Sequence, residues 1–151
     1  MKGVKVVRAK ASNAIDVYPL LAAAVKEGAF EDTPNGRELK LYYFKAMIEE
    51  LAHPGHLWYV ARRGRGFIGF LHAVCVPGRW NGRLESMYID IIYVDPKYRK
   101  RGISGKLIEE LKKDADHIGI SKATFSCPDE HVKAFKKFGA EVTRTVMRGT
   151  L

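Results

Sequence analysis

Cysteine is scarce in this chain, with only Cys75 and Cys127 among 151 residues. They show neither a CxxC nor a Cys/His spacing, so no disulfide framework or cysteine zinc site is expected, and both read as buried free thiols. Nor do His53, His56, His72, His117 and His131 show metal-ligand spacing, and no metal is expected. No apolar run approaches the ~20 residues that a membrane-spanning helix needs. The N-terminal MKGVKVVRAKAS is basic but carries neither the apolar stretch nor the cleavage site of a secretory leader. These absences predict a reducing, cytoplasmic setting without a membrane partner. Repeats, low-complexity tracts and linkers are missing too, so residues 1–151 read as one domain, long enough to bury its own core.

Charge is plentiful and one-sided. Twenty-six Lys and Arg face seventeen Asp and Glu, a net +9, with the excess in 97–113, in Arg62 to Arg65 and in 133–148. Such a field suits a nucleic-acid surface, an anionic small ligand or plain solubility. Aromatic residues do not alternate with the basic ones as they do on a base-stacking sheet, so nucleic acid is not the expected partner.

Periodicity predicts the elements. Lys5 to Ala9 reads as a first strand. Ser12 or Asn13 can cap a helix from Ala14, with Ile15, Leu20, Leu21, Ala24 and Val25 as its apolar stripe and Gly28 as its stop. After a turn-rich 28–36, Asn35 and Glu38 resemble a capping box for a second helix, which buries Leu41, Phe44, Met47, Ile48 and Leu51 and stops at His53-Pro54-Gly55. The period then changes from 3.6 to 2. His56 to Arg62, Gly66 to Val76 and Leu84 to Val94 read as an antiparallel meander, joined through Arg63-Gly64-Arg65 and through Pro77 to Arg83 with its Asn81-Gly82 turn signal. A third helix starts near Ser104, with Leu107, Ile108, Leu111, Ala115 and Ile118 as its stripe and Gly119 as its end. Lys122 to Cys127 is a strand parallel to its predecessor, Glu130 to Phe138 a short fourth helix and Val142 to Met147 a last strand. The fold class is α/β (an α+β mixed sheet) in the order β-α-α-β-β-β-α-β-α-β, with helices on both faces and a shortened C-terminal end.

Val94 to Leu107, VDPKYRKRGISGKL, carries the clearest chemical signal. A β-branched run stops at Asp95-Pro96, and a basic, glycine-containing loop leads into a helix. Amides at a helix start lack internal partners and sit at the positive end of the dipole, and glycine lets the main chain approach an anion closely. Lys97, Arg99, Lys100, Arg101 and Lys106 add full charges. The segment reads as a site for a phosphorylated ligand.

In this segment the chain resembles the GNAT superfamily of N-acetyltransferases. The family's loop is Arg or Gln, two residues, Gly, one residue, then Gly or Ala; here it is Arg99-Lys100-Arg101-Gly102-Ile103-Ser104, preceded by the frequent Val-Asp-Pro-x-Tyr run at Val94 to Tyr98. The element order agrees over roughly residues 4 to 148. The resemblance implies acetyl-CoA as donor substrate, with the main chain of Ile92, Tyr93 and Val94 pairing with the pantetheine arm. It also implies that Lys100, Arg101, Gly102, Ile103, Ser104 and Gly105 wrap the pyrophosphate near Arg99. Ser104 departs from the family's Gly or Ala, although Gly105 follows at once.

Acyl transfer to an amine needs a base for the amine proton, a donor for the oxyanion and an acid for the departing thiolate. Strand alternation puts Tyr88, Asp90, Ile92 and Val94 on one face. Asp90 is a carboxylate in an apolar strand centre, where some GNAT enzymes use a glutamate as base; a structural acid is the other reading. Glu85, by the hairpin, reads as a rim residue, with a catalytic part as the other reading. The resemblance implies the backbone N–H near Ile92 or Tyr93 as oxyanion donor. At the family's general-acid tyrosine stands Phe135, counted back from Lys137 and Gly139, and Cys127-Pro128-Asp129 replaces an asparagine frequent before that helix. Tyr88 and Tyr93 are the candidate replacement acids, and Cys127 can face the thioester or pack in the core. Acceptor contacts are expected from Phe30, Glu31, Asp32 and Thr33 and from Arg79, Trp80 and Arg83, with Tyr42, Tyr43 and Trp58 as aromatic lining or core. An exposed last strand predicts a homodimer. The expected activity is acetyl transfer to a primary amine of a small molecule or protein; the alternative is a non-catalytic acyl-CoA-binding or partner-binding module.

Overall fold

The computed structural model of the chain describes residues 3–27, 37–78, 82–125, 135, 136 and 139. They form a five-stranded mixed sheet of β1 (Val4–Arg8), β2 (His56–Arg63), β3 (Gly66–Pro77), β4 (Leu84–Val94) and β5 (Ala123–Phe125), ordered β1-β2-β3-β4-β5. The first three pairings are antiparallel and β4–β5 is parallel, as a crossover through a helix requires. Helices α1 (Ala14–Lys26) and α2 (Arg37–Ala52) cover one face and α3 (Ile103–Ile118) the other. The expected fold class holds: a mixed α/β sheet with helices on both faces.

Alternation divides the core. Leu57, Tyr59, Ala61, Leu71, Ala73, Met87 and Ile89 point to α3, which answers with Ile103, Leu107, Ile108 and Leu111. Trp58, Val60, Phe70, Ile91 and Tyr93 point to the other face, against Val17, Leu20, Leu21 and Ala24 of α1 and Met47 of α2. The Tyr59 hydroxyl donates to Asp114, pinning α3 to the sheet, and burial pushes that phenol above its ordinary pKa. Cys75 is a buried free thiol on the α3 side, and burial raises it as well.

Several sequence expectations are corrected. Ile15 is 75% exposed, because the inward stripe of α1 runs through Ala14, Val17, Leu20, Leu21 and Ala24 and puts Ile15 on the far side. Leu41 and Ile48, seven residues apart and so on one helical stripe, are exposed; the inward stripe of α2 instead carries Tyr43, Met47 and Glu50. Ile118 is exposed while Ile120, just past the helix, is buried. Asn13 does not cap α1; its Oδ1 accepts from the Lys10 N–H across a 3-10 turn at Ala11–Asn13. The first strand begins at Val4 and α3 at Ile103, each one residue early, and the β4–β5 pairing covers Met87 to Ile89. Phe135 and Lys136 of the expected fourth helix are helical. The rest of that helix, the last strand, the loop 28–36, Arg79, Trp80 and Cys127 lie outside the described residues, as does the C-terminal end.

The largest correction concerns β4. Its register against β3 shifts between the pairs His72↔Ile91 and Ala73↔Ile89, which leaves Asp90 as an extra, bulged residue. Tyr88 and Asp90 therefore face α1 and α2, while Ile92 and Val94 pack on the α3 side. The four do not share one face, because a bulge reverses the alternation beyond it. Past the bulge, Gly69 lies so close to β4 that a Cβ there would sit 2.8 Å from the Tyr93 carbonyl oxygen. Gly69→Ala should cost about 1–3 kcal/mol of stability through this overlap, read as a lower midpoint in thermal or urea unfolding.

Candidate active site

Two structures meet at the C-terminal half of β4. The first is the turn from β4 into α3. Asp95 accepts from the Lys97 N–H through its side chain, Pro96 to Tyr98 make a 3-10 turn, and Lys100 and Gly102 both take positive φ, +60° and +75°. Gly102 is the N-cap of α3, and no side chain caps the helix. The backbone bond from Lys106 N–H to Gly102 C=O opens the ladder, so the N–H groups of Ile103, Ser104 and Gly105 precede the first intrahelical bond. A Cβ on Gly102 would meet nothing within 4 Å. Open space, amides at the positive end of a 16-residue helix, and Lys97, Lys100, Arg101 and Lys106 nearby in sequence suit a diphosphate.

Arg99 behaves differently from its basic neighbours. Its Nε donates to the Val94 carbonyl at 2.9 Å and its guanidinium pairs with Glu27 at the end of α1. Tyr93 donates its hydroxyl to the same carboxylate at 2.8 Å. Arg99 thus braces the end of β4 against α1. Burial, then the bond to Glu27, pushes the Tyr93 phenol up to about 12, which makes it a poor proton donor. The Arg99 hydrogen bond, then that from Tyr93, holds the Glu27 carboxyl below its usual range.

The second structure surrounds Asp90. Leu21, Tyr42, Tyr43, Ala46, Met47, Glu50, Trp58, His72, Asp90 and Ile91 line a cleft of about 160 Å³ on the α1–α2 face. Asp90 Oδ2 lies 3.2 Å from His72 Nδ1, and His72 Nε2 lies 3.0 Å from His56 Nδ1. His72 is buried and stacked on Trp58, with centroids 4.4 Å apart. Glu50 Oε2 stands 3.6 Å from His72 Nε2 and 4.0 Å from His56 Nδ1. Burial raises the Glu50 carboxyl above its ordinary range. Trp58 Nε1 makes no hydrogen bond of full geometry, though its polarity still acts to lower Glu50.

Glu50, His56 and His72 each offer a ligand atom within 4.8 Å of the others. Metal ligation would need the imidazole lone pairs to converge on a common point. Instead the ring centroids lie 5.2 Å apart and the facing nitrogens 3.0 Å apart, so the nitrogens point at each other nearly head-on. That is an N–H···N hydrogen bond, and it satisfies the pair without an ion.

The structure brings together Asp90, Trp58, Tyr42 and Tyr43 among the sequence candidates, with Tyr88 two residues before Asp90 on the same face and 38% exposed. Glu85 sits in the exposed first turn of β4, away from the cleft. Phe135 packs on Phe125, centroids 4.2 Å apart, beside the α3-side core. His56, His72 and Glu50 escaped the sequence reading. Their signal was alternation with buried aromatics, His56 with Trp58 and His72 with Phe70, and the three-residue step from Met47 to Glu50.

The sequence model of the Acetyltransferase (GNAT) family matches residues 22–140. The chain belongs to the GNAT acetyltransferase family. It is 28% identical over 129 residues to a thialysine N-epsilon-acetyltransferase from Bos taurus, covering 83% of this chain and 68% of that protein. The Sus scrofa protein of that name is 30% identical over 102 residues, covering 65% of this chain and 56% of the relative. Among solved structures, a predicted acetyltransferase with acetyl-CoA from Clostridium acetobutylicum superposes with a TM-score of 0.78 at 16% identity, over 97% of this chain and 96% of that one. That likeness shows the fold. No helix among the described residues is long and apolar enough to cross a membrane.

Because the folded-state carboxyl of Glu27 is lowered, its stabilising effect is present above the unfolded value of ~4.3 and is lost as pH falls through the lower folded one. Glu27→Gln should flatten that part of the acid dependence, seen by comparing melting temperatures of both proteins from neutral to acid pH.

Proposed function

We propose that the chain transfers an acetyl group from acetyl-CoA directly to a primary amine. The observation that carries this reading is the bulge: one extra residue sets a carboxylate in an aromatic cleft on one face of β4, while the same strand ends at an uncapped helix N-terminus. Ile103, Ser104 and Gly105 would hold the diphosphate through their amides, with Lys100 and Arg101 adding charge, and the main chain of Ile92 to Val94 would align the pantetheine arm. Acetyl-CoA supplies the thioester. An amine with pKa near 10 arrives mostly as an ammonium and must lose a proton before attack. With His72 on Oδ2, Oδ1 of Asp90 is the atom assigned to that proton.

The acceptor side favours a small cation with an apolar stem. Glu50 and Asp90 face a cleft whose walls carry Tyr42, Tyr43, Trp58 and Met47, and no lysine or arginine is among the described residues lining it, although the chain is +9 overall. An ammonium is drawn into such a cleft and then deprotonated there. The bovine and porcine relatives are named for thialysine, which makes thialysine the first amine to try, before polyamines and peptide amines. Cytoplasmic residence and a homodimer belong to this reading as well.

A second reading, an acyl-CoA-binding module without turnover, is favoured by Phe135, whose ring packs on Phe125 and offers no proton for a departing thiolate. Acetyl-CoA consumption over the amine panel separates the two; tight CoA binding with no turnover on any amine supports the module.

Gly102→Glu should abolish CoA binding by calorimetry, since it places a carboxylate at the helix start and forces a side chain into a positive φ that disfavours it by about 1–2 kcal/mol. Wild-type affinity would overturn the assignment of the turn. Asp90→Asn should lower turnover by roughly 10²–10⁴-fold, the usual span of general-base catalysis, with CoA affinity nearly intact; unchanged turnover across pH rejects Asp90 as the base. Phe135→Tyr should raise the rate where the thiolate leaves unassisted.

A further inference from the structure

We propose that His72 and His56 are positioning residues, a two-imidazole chain whose tautomers are locked by Asp90 and which in turn fixes that carboxylate for proton abstraction. This rests on the assignment of Asp90 as the base. An ionised carboxylate only accepts hydrogen bonds, so the contact at 3.2 Å puts the proton of His72 on Nδ1. Neutral His72 then has a bare Nε2, which must accept. The atom facing it at 3.0 Å is His56 Nδ1, which must therefore carry its own proton. One negative charge on the bulge thus dictates two tautomers in sequence, with both N–H groups aimed toward Asp90.

The surroundings hold this state. His72 is 3% exposed and stacked on the Trp58 ring, centroids 4.4 Å apart, so burial and that stack restrict rotation of its ring. Burial, then the neighbouring imidazoles His72 and His53, hold His56 below the usual histidine range and keep it neutral. The titratable groups facing the chain are Asp90 from β4, Glu50 from α2 and His53 from the turn before β2, and Glu49 acts on Glu50 from the same helix. Among them, Glu50 acts against the lock. Its carboxylate stands 3.6 Å from His72 Nε2, the nitrogen that would take a second proton. When a proton adds there, His72 becomes an imidazolium ion-paired with Asp90 on one side and Glu50 on the other. A proton on His72 Nε2 sets two donors, that N–H and the His56 Nδ1–H, against each other, so the chain breaks in acid.

The lock has a readout that needs no acceptor. In long-range ¹⁵N–¹H spectra at pH 8, His72 and His56 should both appear as Nδ1–H tautomers, the less common form for a free imidazole. Asp90→Ala should return both to Nε2–H while His53 keeps its own state. Two Nε2–H histidines in the unmodified protein would overturn the chain. In kinetics with thialysine or another amine that is turned over, His72→Leu should lower kcat roughly ten- to a hundredfold, the size of effect typical where the partner orienting a functional group is removed, with CoA affinity unchanged. His72→Asn keeps an N–H donor for Asp90 but cannot titrate; it should recover part of the rate and move the acid limb to lower pH. His56→Ala should lower kcat, and His56→Asn, which keeps an N–H donor for His72 Nε2, should recover part of that loss. Impaired Asp90→Asn with wild-type kcat and an unmoved acid limb in all the histidine variants overturns the positioning role and leaves the base intact. Wild-type turnover in Asp90→Asn instead removes the base itself, and zinc-dependent turnover abolished by chelation would replace the hydrogen-bonded chain with a metal site.

Discussion

One extra residue in β4 governs how the two halves of the site relate. A regular strand would send Asp90 and Ile92 to the same side. The bulge at Asp90 instead leaves that carboxylate against His72 on the α1–α2 face and moves Ile92 and Val94 onto the α3 core. The acid then opens onto the cleft while the strand's end continues directly into the turn that starts α3. In the proposed reaction, the amine and acetyl-CoA would approach from different sides of one strand.

The parts around the bulge are held firmly where the chemistry needs it. Gly69 allows β3 to lie within contact of the Tyr93 carbonyl, and Arg99 ties the Val94 carbonyl and Glu27 together at the strand's end. Behind Asp90, the stacked Trp58 and His72 rings leave little rotational freedom. Fixed donors and acceptors around a reacting group cost no reorganisation at the moment of reaction. Electrostatics divide the site the same way: one of the chain's basic clusters surrounds the helix start, and the cleft carries two carboxylates.

Much of this was legible in the sequence. The change of hydrophobic period from 3.6 to 2 at His56 located the meander, and VDPKYRKRGISGKL located the basic turn into an uncapped helix start, because glycine, basic residues and a helix start must be adjacent in sequence for the anion binding proposed there. Arg99 was less legible. Its motif placed it by the phosphates, whereas a carboxylate 72 residues away claims its guanidinium. Leu41 and Ile48 misled for a simpler reason, since an apolar residue on a helix need not lie on the stripe that meets the sheet.

The order of elements and the uncapped helix start beside its basic turn were determined by local pattern, because each depends on neighbours within a few residues. The union of Asp90, His72, His56 and Glu50 was decided only by tertiary structure. Counting from the Gly64-Arg65 turn, with Arg63 opposite Gly66, places His72 opposite Leu57 and on the far face from His56. The register shift between Ala61 and Arg62 moves it opposite Trp58 and brings the two imidazoles together. A one-residue slip reverses every side chain beyond it, and neither bulge could be read from the alternation of the strands it interrupts.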